Sequence, residues 1–216
     1  MTPQSTIGKR GFICTFRFLW CWTGFTNRPA WPNNEVLYQF GSNVSGDERT
    51  IIRNSAARWN ATGVYPKLRE ASGGTTIYMA PYSSTYCGLS PIGRTQVSAI
   101  PIMLIVRDNY CLQDHTIWHE FGHAAGLNHE HQRCDRDKYI EVTYAWWEFI
   151  NYNKLCNWGE DIGFFDFDSI MMYRGTNIKP RSPMPSSGWM GNPNDTRARS
   201  TFSLGDIKGL STLYPR

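Results

Sequence analysis

Four of the chain's five histidines, His119, His123, His129 and His131, fall within the stretch Trp118–Arg133, "WHEFGHAAGLNHEHQR", and the fifth, His115, stands just upstream. On a helix, His119 and His123 project from the same face about 40° apart, so two imidazoles can share one small cation. Gly126 can take the left-handed conformation that breaks a helix and turns the chain back, which brings His129 to the same point. Three nitrogens and an open position make the pattern of a catalytic zinc. Imidazole also serves iron and copper, but the chain shows no support for redox chemistry, and zinc is favoured. Glu120 is too short a step from His119 to be a fourth ligand. Its carboxylate is placed instead to take a proton from a water that the metal activates as it attacks a carbonyl carbon, and to return it to the leaving amine. The expected reaction is peptide hydrolysis, with zinc carrying the oxyanion charge.

The elements that must position these groups follow from pattern. Glu35–Phe40 reads as a strand. Ser45 and Glu48 then form a capping box that opens a helix with Ile52, Ala56 and Trp59 on one face. Thr75–Ala80 and the apolar run Val97–Val106 are β-rich, separated by a Gly/Ser/Pro loop that carries Cys87. Residues 113–125 are helical by pattern, with Ile117, Phe121 and Ala124 facing a core and Gly126 as the stop. Beyond Cys134 the regularity fades into aromatic loops until Ser203, which caps a last helix with Ile207, Leu210 and Leu213 on one face.

Composition bounds the rest. With 216 residues, 41% hydrophobic, 19% charged and nine Trp, the chain reads as one globular domain. A net charge of +4 without a Lys/Arg run argues against nucleic acid. No run reaches the length of a membrane span, and Gly11–Trp22 is interrupted by Arg17 and lacks a small-residue cleavage site. The six cysteines include no C-x-x-C pair and suit disulfides in a secreted protein. Of the connectivities open, neighbour pairing (14–21, 87–111, 134–156) is the least contorted.

The stretch "HEFGHAAGLNHEHQRCDRD" resembles the signature of the astacins, a branch of the metzincin zinc peptidases, and meets it at His119, Glu120, His123, Gly126, His129, Glu130, Arg133, Asp135, Arg136 and Asp137. Ser169–Tyr173, "SIMMY", resembles the family's Met-turn. The resemblance runs from about Trp31 to Tyr214. It implies an α+β, zincin-like fold: an upper subdomain (about 31–129) with a twisted, mostly parallel sheet and two helices, and an irregular lower subdomain (about 130–216) closed by the C-terminal helix. An active-site cleft would lie between them, with the substrate extended in it. Residues 1–30 would be an N-terminal extension or prosegment remnant. The family's pattern places Met171 beneath the metal, makes Tyr173 a displaceable zinc ligand that helps hold the tetrahedral intermediate, and lets Glu130 meet a new N-terminus after activation. It also supports the 87–111 bridge.

Three departures stand out. The family's second disulfide has no cysteines here, and Cys134–Cys156 is expected as a substitute clip. Met172 stands where His is usual, on what is expected to be the cleft wall. No F-x-G-D prosegment motif precedes Trp31; Cys14 and Cys21 are there instead, as a disulfide, free thiols or a latency ligand for the metal. His115 is expected to order its helix or to contact a metal ligand from behind rather than to bind the metal, His131 to make a loop contact, and Trp118, Trp146 and Trp147 to be core or subsite aromatics. The reading is a secreted, monomeric zinc endopeptidase acting on protein or peptide substrates, without a nucleic-acid or membrane partner. Its rivals are a catalytically silent zinc-containing binding module on the same fold and a structural metal protein.

Overall fold

The structure is a computed structural model that describes residues 30–81, 86–94, 101–157, 159–183, 189–194 and 199–216, and the side chains of all of these but Trp147 and Trp189. Cys14 and Cys21, and residues 97–100 of the Val97–Val106 run, lie outside the described residues. The upper region starts with β1 (Glu35–Phe40), whose inward Val36 and Tyr38 are buried while their neighbours are partly exposed. That alternation is the period of a strand with one face in a core. Helix α1 (Gly46–Ala61) begins at a reciprocal cap: Ser45 Oγ accepts from Glu48 N at 3.3 Å, and Glu48 Oε2 accepts from Ser45 N at 2.8 Å.

Strands β2 (Lys67–Glu70), β3 (Thr75–Ala80) and β5 (Ile102–Val106) join β1 in a parallel array, and β4 (Gly88–Leu89) closes one edge antiparallel to β5. The order across the sheet is β2-β1-β3-β5-β4. Parallel strands need helices to cover them. Helices α1 and α2 (Asp114–Ala125) supply that cover through one apolar cluster in which Ile52, Trp59, Ile77, Met103, Ile117 and Phe121 are all fully buried. The start of α2 is pinned to α1, because Asp114 accepts from Ser55 Oγ at 2.6 Å and from both Nε and Nη2 of Arg58 at 2.7 Å.

The lower region is assembled from fragments. β6 (Ile140–Val142) pairs antiparallel with β8 (Ile178–Pro180), and β7 (Phe165–Asp166) pairs parallel with β9 (Trp189–Met190). A four-residue helix, α3 (Phe149–Tyr152), follows β6, and α4 (Leu204–Leu213) ends the domain. A small second core of Tyr139, Ile140, Phe165, Phe167 and Met172 sits here. Met172 is therefore a lower-core residue, and its expected place on the cleft wall is corrected: an apolar thioether beside four other apolar side chains gains more by burial than by facing a wet cleft. These strands, like β2 and β4, escape sequence reading because two to four residues cannot display a period.

The first and last segments of the domain both dock onto the end of α2. Trp31 Nε1 donates to Ala124 O and Tyr214 Oη to Ala125 O, each at 2.8 Å. Two carbonyls that a helix C-terminus leaves without intrahelical partners are satisfied in this way. Among the described residues no helix is long and apolar enough to cross a membrane.

Candidate metal centre and active site

Helix α2 presents His119 and His123 with ring centroids 4.7 Å apart. Gly126 then takes φ 112°, and a Schellman-type pair of bonds, Leu127 N to Gly122 O and Gly126 N to His123 O, ends the helix. The chain reverses and His129 comes back over the helix face. Its Nε2 lies 3.2 Å from His119 Nε2 and 3.0 Å from His123 Nε2.

What those nitrogens carry is set from behind. His119 Nδ1 lies 2.8 Å from Ile170 O and His123 Nδ1 2.8 Å from Leu127 O; a carbonyl only accepts, so both Nδ1 atoms hold the proton. His129 Nδ1 lies 2.9 Å from Gln132 Oε1. The Gln132 amide is oriented by its own Nε2, which donates to Ile150 O and Asn153 O, so its oxygen accepts from His129. Burial, the largest influence on each, holds all three rings neutral: His119 is lowered, His123 is lowered to about 3, and His129 is lowered well below its ordinary value. Three imidazole lone pairs therefore face one another with no proton among them. A cation is the partner that relieves such an arrangement, and neutral Nε2 donors with Nδ1–H bound behind them fit zinc.

Beside them Glu120 is buried, and its Oε2 has no hydrogen-bond partner among the described residues. Desolvation pushes its carboxyl up to about 8. The edge strand β4 comes so near that a Cβ on Gly88 would stand 2.5 Å from Glu120 Oε1. Met171 is almost fully buried against α2, and Gly122 admits it: a Cβ there would stand 2.7 Å from Met171 Sδ. The Tyr173 ring centroid is 4.2 Å from that of His129, 4.3 Å from that of His131 and 6.3 Å from that of His119. Burial raises the Tyr173 pKa, so the phenol keeps its proton.

Residues 25–215 match the profile of the astacin peptidase family. The chain belongs to that family. It is 32% identical over 149 residues to the zinc metalloproteinase nas-12 of Caenorhabditis elegans, an alignment that covers 67% of this chain and 37% of that protein. It is 31% identical over 152 residues to astacin-like metalloprotease toxin 5 of Loxosceles gaucho, covering 68% of this chain and 78% of the toxin. Of the nematode protein nas-4, 30% identical over 200 residues, it spans 58% of the length. High choriolytic enzyme 1, a hatching enzyme zinc-protease from Oryzias latipes, superposes with a TM-score of 0.61 at 23% identity over 91% of this chain and 98% of that one, and so shares its fold. The astacins' single catalytic zinc is the ion for which the His119–His123–His129 triad is positioned.

Other astacin signature residues brace this centre. Glu130 is mostly enclosed: Oε1 accepts from Asp166 N at 2.8 Å and lies 3.5 Å from Arg133 Nε, and burial raises its pKa to about 8. Arg133 grips Asp135 and the carbonyls of Ile162 and Gly163. Arg136 lies beside Asp137 and donates to His131 O. His131 is fully buried, stacked on Tyr173, where a loop contact was expected. The His115 ring lies 4.8 Å from that of Tyr110 at a tilt of 50° and is not one of the three converging histidines. Trp118 belongs to the core, with Nε1 donating to Ser55 O, whereas Trp146 is 80% exposed.

Two disulfides clip the site's margins. Cys87–Cys111 ties β4 to the segment entering α2, and Cys134–Cys156 ties the loop after the third histidine to the segment after α3. Sequence reasoning passed over two further residues. Gln132 is one. Asp206 is the other: it caps α4 through Ser203 and accepts from Ser169 Oγ at 2.6 Å and from Ile170 N at 2.9 Å, while Ser169 Oγ accepts from Met171 N at 3.0 Å and so holds the peptide whose carbonyl faces His119. The S-x-x-D pattern at Ser203–Asp206 was its available signal.

Proposed function

We propose that this chain is a secreted zinc endopeptidase domain, residues 31–216, that cleaves extended protein or peptide substrates in the cleft between its upper and lower regions. The observation that carries this is the convergence of three neutral imidazole lone pairs beside a buried carboxylate with a free oxygen. Zinc, when bound, supplies Lewis acidity toward the scissile carbonyl and toward water. Glu120 takes the proton of the attacking water and delivers it to the leaving amine; desolvation makes its carboxylate a stronger base than a free glutamate. The neutral Tyr173 phenol donates to the developing oxyanion. β4 is an edge strand that lines the cleft, so an extended peptide can add to it by main-chain hydrogen bonds. The two disulfides fit an oxidising compartment.

The test is cleavage of casein with and without a chelator, alongside metal analysis. We expect one zinc per chain, loss of cleavage on chelation and its return with zinc. Glu120→Gln should retain metal and fold while turnover falls by about 10²–10⁴-fold. Zinc bound without any cleavage would identify a silent binding module, and full activity in Glu120→Gln would remove Glu120 from the mechanism.

A further inference from the structure

The four-residue helix α3 forms part of the cleft rim, where Phe149 and Ile150 line the same cavity as the triad and stand 51% and 41% exposed. In a helix of four residues every carbonyl belongs to the last turn, and of these Phe149 O accepts from the capping Asn153 N at 2.7 Å. Its remaining carbonyls need partners from elsewhere. Those partners come from the segment directly after the third metal ligand. Gln132 Nε2 donates to Ile150 O at 3.1 Å and to Asn153 O at 3.3 Å, His131 Nε2 to Asn151 O at 2.8 Å, and Arg136 Nη1 to Tyr152 O. In the other direction Leu155 N donates to Gln132 O at 2.8 Å.

Gln132 differs from the other two donors, because its oxygen simultaneously accepts from His129 Nδ1. One buried amide thus holds a metal ligand with one end and two carbonyls of the rim with the other. We propose that Gln132 is a positioning residue that couples the metal centre to the α3 rim, so that loading the triad tightens the rim and emptying it loosens the rim. The physical reason is tautomeric. With a cation on Nε2, His129 must carry its proton on Nδ1, and that N–H adds a third bond to the amide, whose NH₂ already donates to Ile150 O and Asn153 O. Without a cation the ring can move its proton or turn, and the amide loses one of the three bonds that hold it.

The inference rests on the proposed zinc site and is tested apart from it. Zinc affinity by chelator competition and hydrogen exchange over residues 149–155 are measured on the wild type, Gln132→Met and Gln132→Glu. In the wild type, stripping the metal should speed exchange over 149–155 and leave α1 unchanged. Gln132→Met, which removes both ends of the link at similar volume, should weaken zinc binding about 10–100-fold, the usual weight of a residue that orients a ligand. It should also leave the rim in fast exchange even when loaded. Gln132→Glu keeps an acceptor for His129 and offers no amide donor, so zinc affinity should hold while rim exchange rises. Equal rim exchange in loaded, stripped and Gln132→Met protein would overturn the coupling. So would a loss of zinc affinity in Gln132→Glu as large as in Gln132→Met. A folded wild type that binds no zinc would remove the metal-centre reading itself.

Discussion

The upper and lower regions hold their share of the site by different physics. Above the cleft, two histidines and Glu120 ride on a helix whose opposite face is buried against a four-strand parallel array, and their directions are set by apolar packing around Trp59, Ile117 and Phe121. Below it the strands are two or three residues long, and positions are fixed by side chains reaching for backbone: Asp206 to Ile170, Arg133 to Ile162 and Gly163, Gln132 to Ile150 and Asn153. Where the chain lacks a ladder, polar side chains must satisfy the main-chain groups that a ladder would have paired. Damage should accordingly spread differently in the two regions.

The largest effect on stability is expected above the cleft. Trp59 is fully buried, packs edge-on against Trp118 and Phe202, and donates to Pro66 O at 2.8 Å. Trp59→Ala should cost about 3–5 kcal/mol by denaturant melts, with zinc affinity unchanged in the protein that remains folded. A large loss of affinity there would show that packing and metal site are not separable as argued.

Tyr173→Phe tests the one group that the lower region is proposed to supply to the chemistry. Losing an oxyanion donor is worth about 2.7–4 kcal/mol, so turnover should fall about 10²–10³-fold with the Michaelis constant nearly unchanged. A lowered melting temperature with normal turnover would instead make Tyr173 a packing residue.

Asp206→Ala sharpens the contrast from the polar side. It strips the acceptor from Ser169 Oγ and from the Ile170 and Ser203 amides, at about 1–3 kcal/mol for each buried donor left unpaired. Unlike Trp59→Ala it should also weaken zinc binding, because Ile170 O orients His119. Zinc affinity equal to that of the wild type would break the proposed link.

The smallest effect is the acid response of the α1–α2 clasp. The Arg58 hydrogen bond lowers the Asp114 pKa below the ordinary 3.8. A depressed carboxylate contributes stability that is present above the unfolded value and lost as pH falls through the folded one. Asp114→Asn should therefore flatten the stability curve below about pH 4 by less than about 1 kcal/mol, since Arg58 is half exposed and solvent screens the pair.

What the sequence disclosed follows the same divide. Helix α2 was legible because its apolar positions keep a 3.6-residue period and Gly126 punctuates it, and α1 and α4 because Ser45 and Ser203 announce their caps. The histidine spacing is local, so it can be read without knowing the fold. The long reach of Gln132 to Ile150 and Asn153, and of Asp206 to Ser169 and Ile170, could not be, because those partners lie 18 to 37 residues away and only the folded chain brings them near. The same holds for Glu130, whose enclosure depends on Asp166, and for Met172, whose neighbours come from separate segments.

The bonds from Trp31 and Tyr214 to the end of α2 have an architectural consequence. Trp31 N lies 3.5 Å from Tyr214 Oη, and Asn34 Nδ2 donates to Pro215 O at 3.3 Å, so the domain's entry and exit segments meet at one spot. A fold whose ends meet behaves as a cassette: it can be set between other modules with little separation of what lies on either side of it. The catalytic helix is the buckle of that cassette. Any pull applied across the two flanking segments would act first on the carbonyls of Ala124 and Ala125, which follow His123 directly in the chain, and would be felt at the metal centre before it reached the sheet.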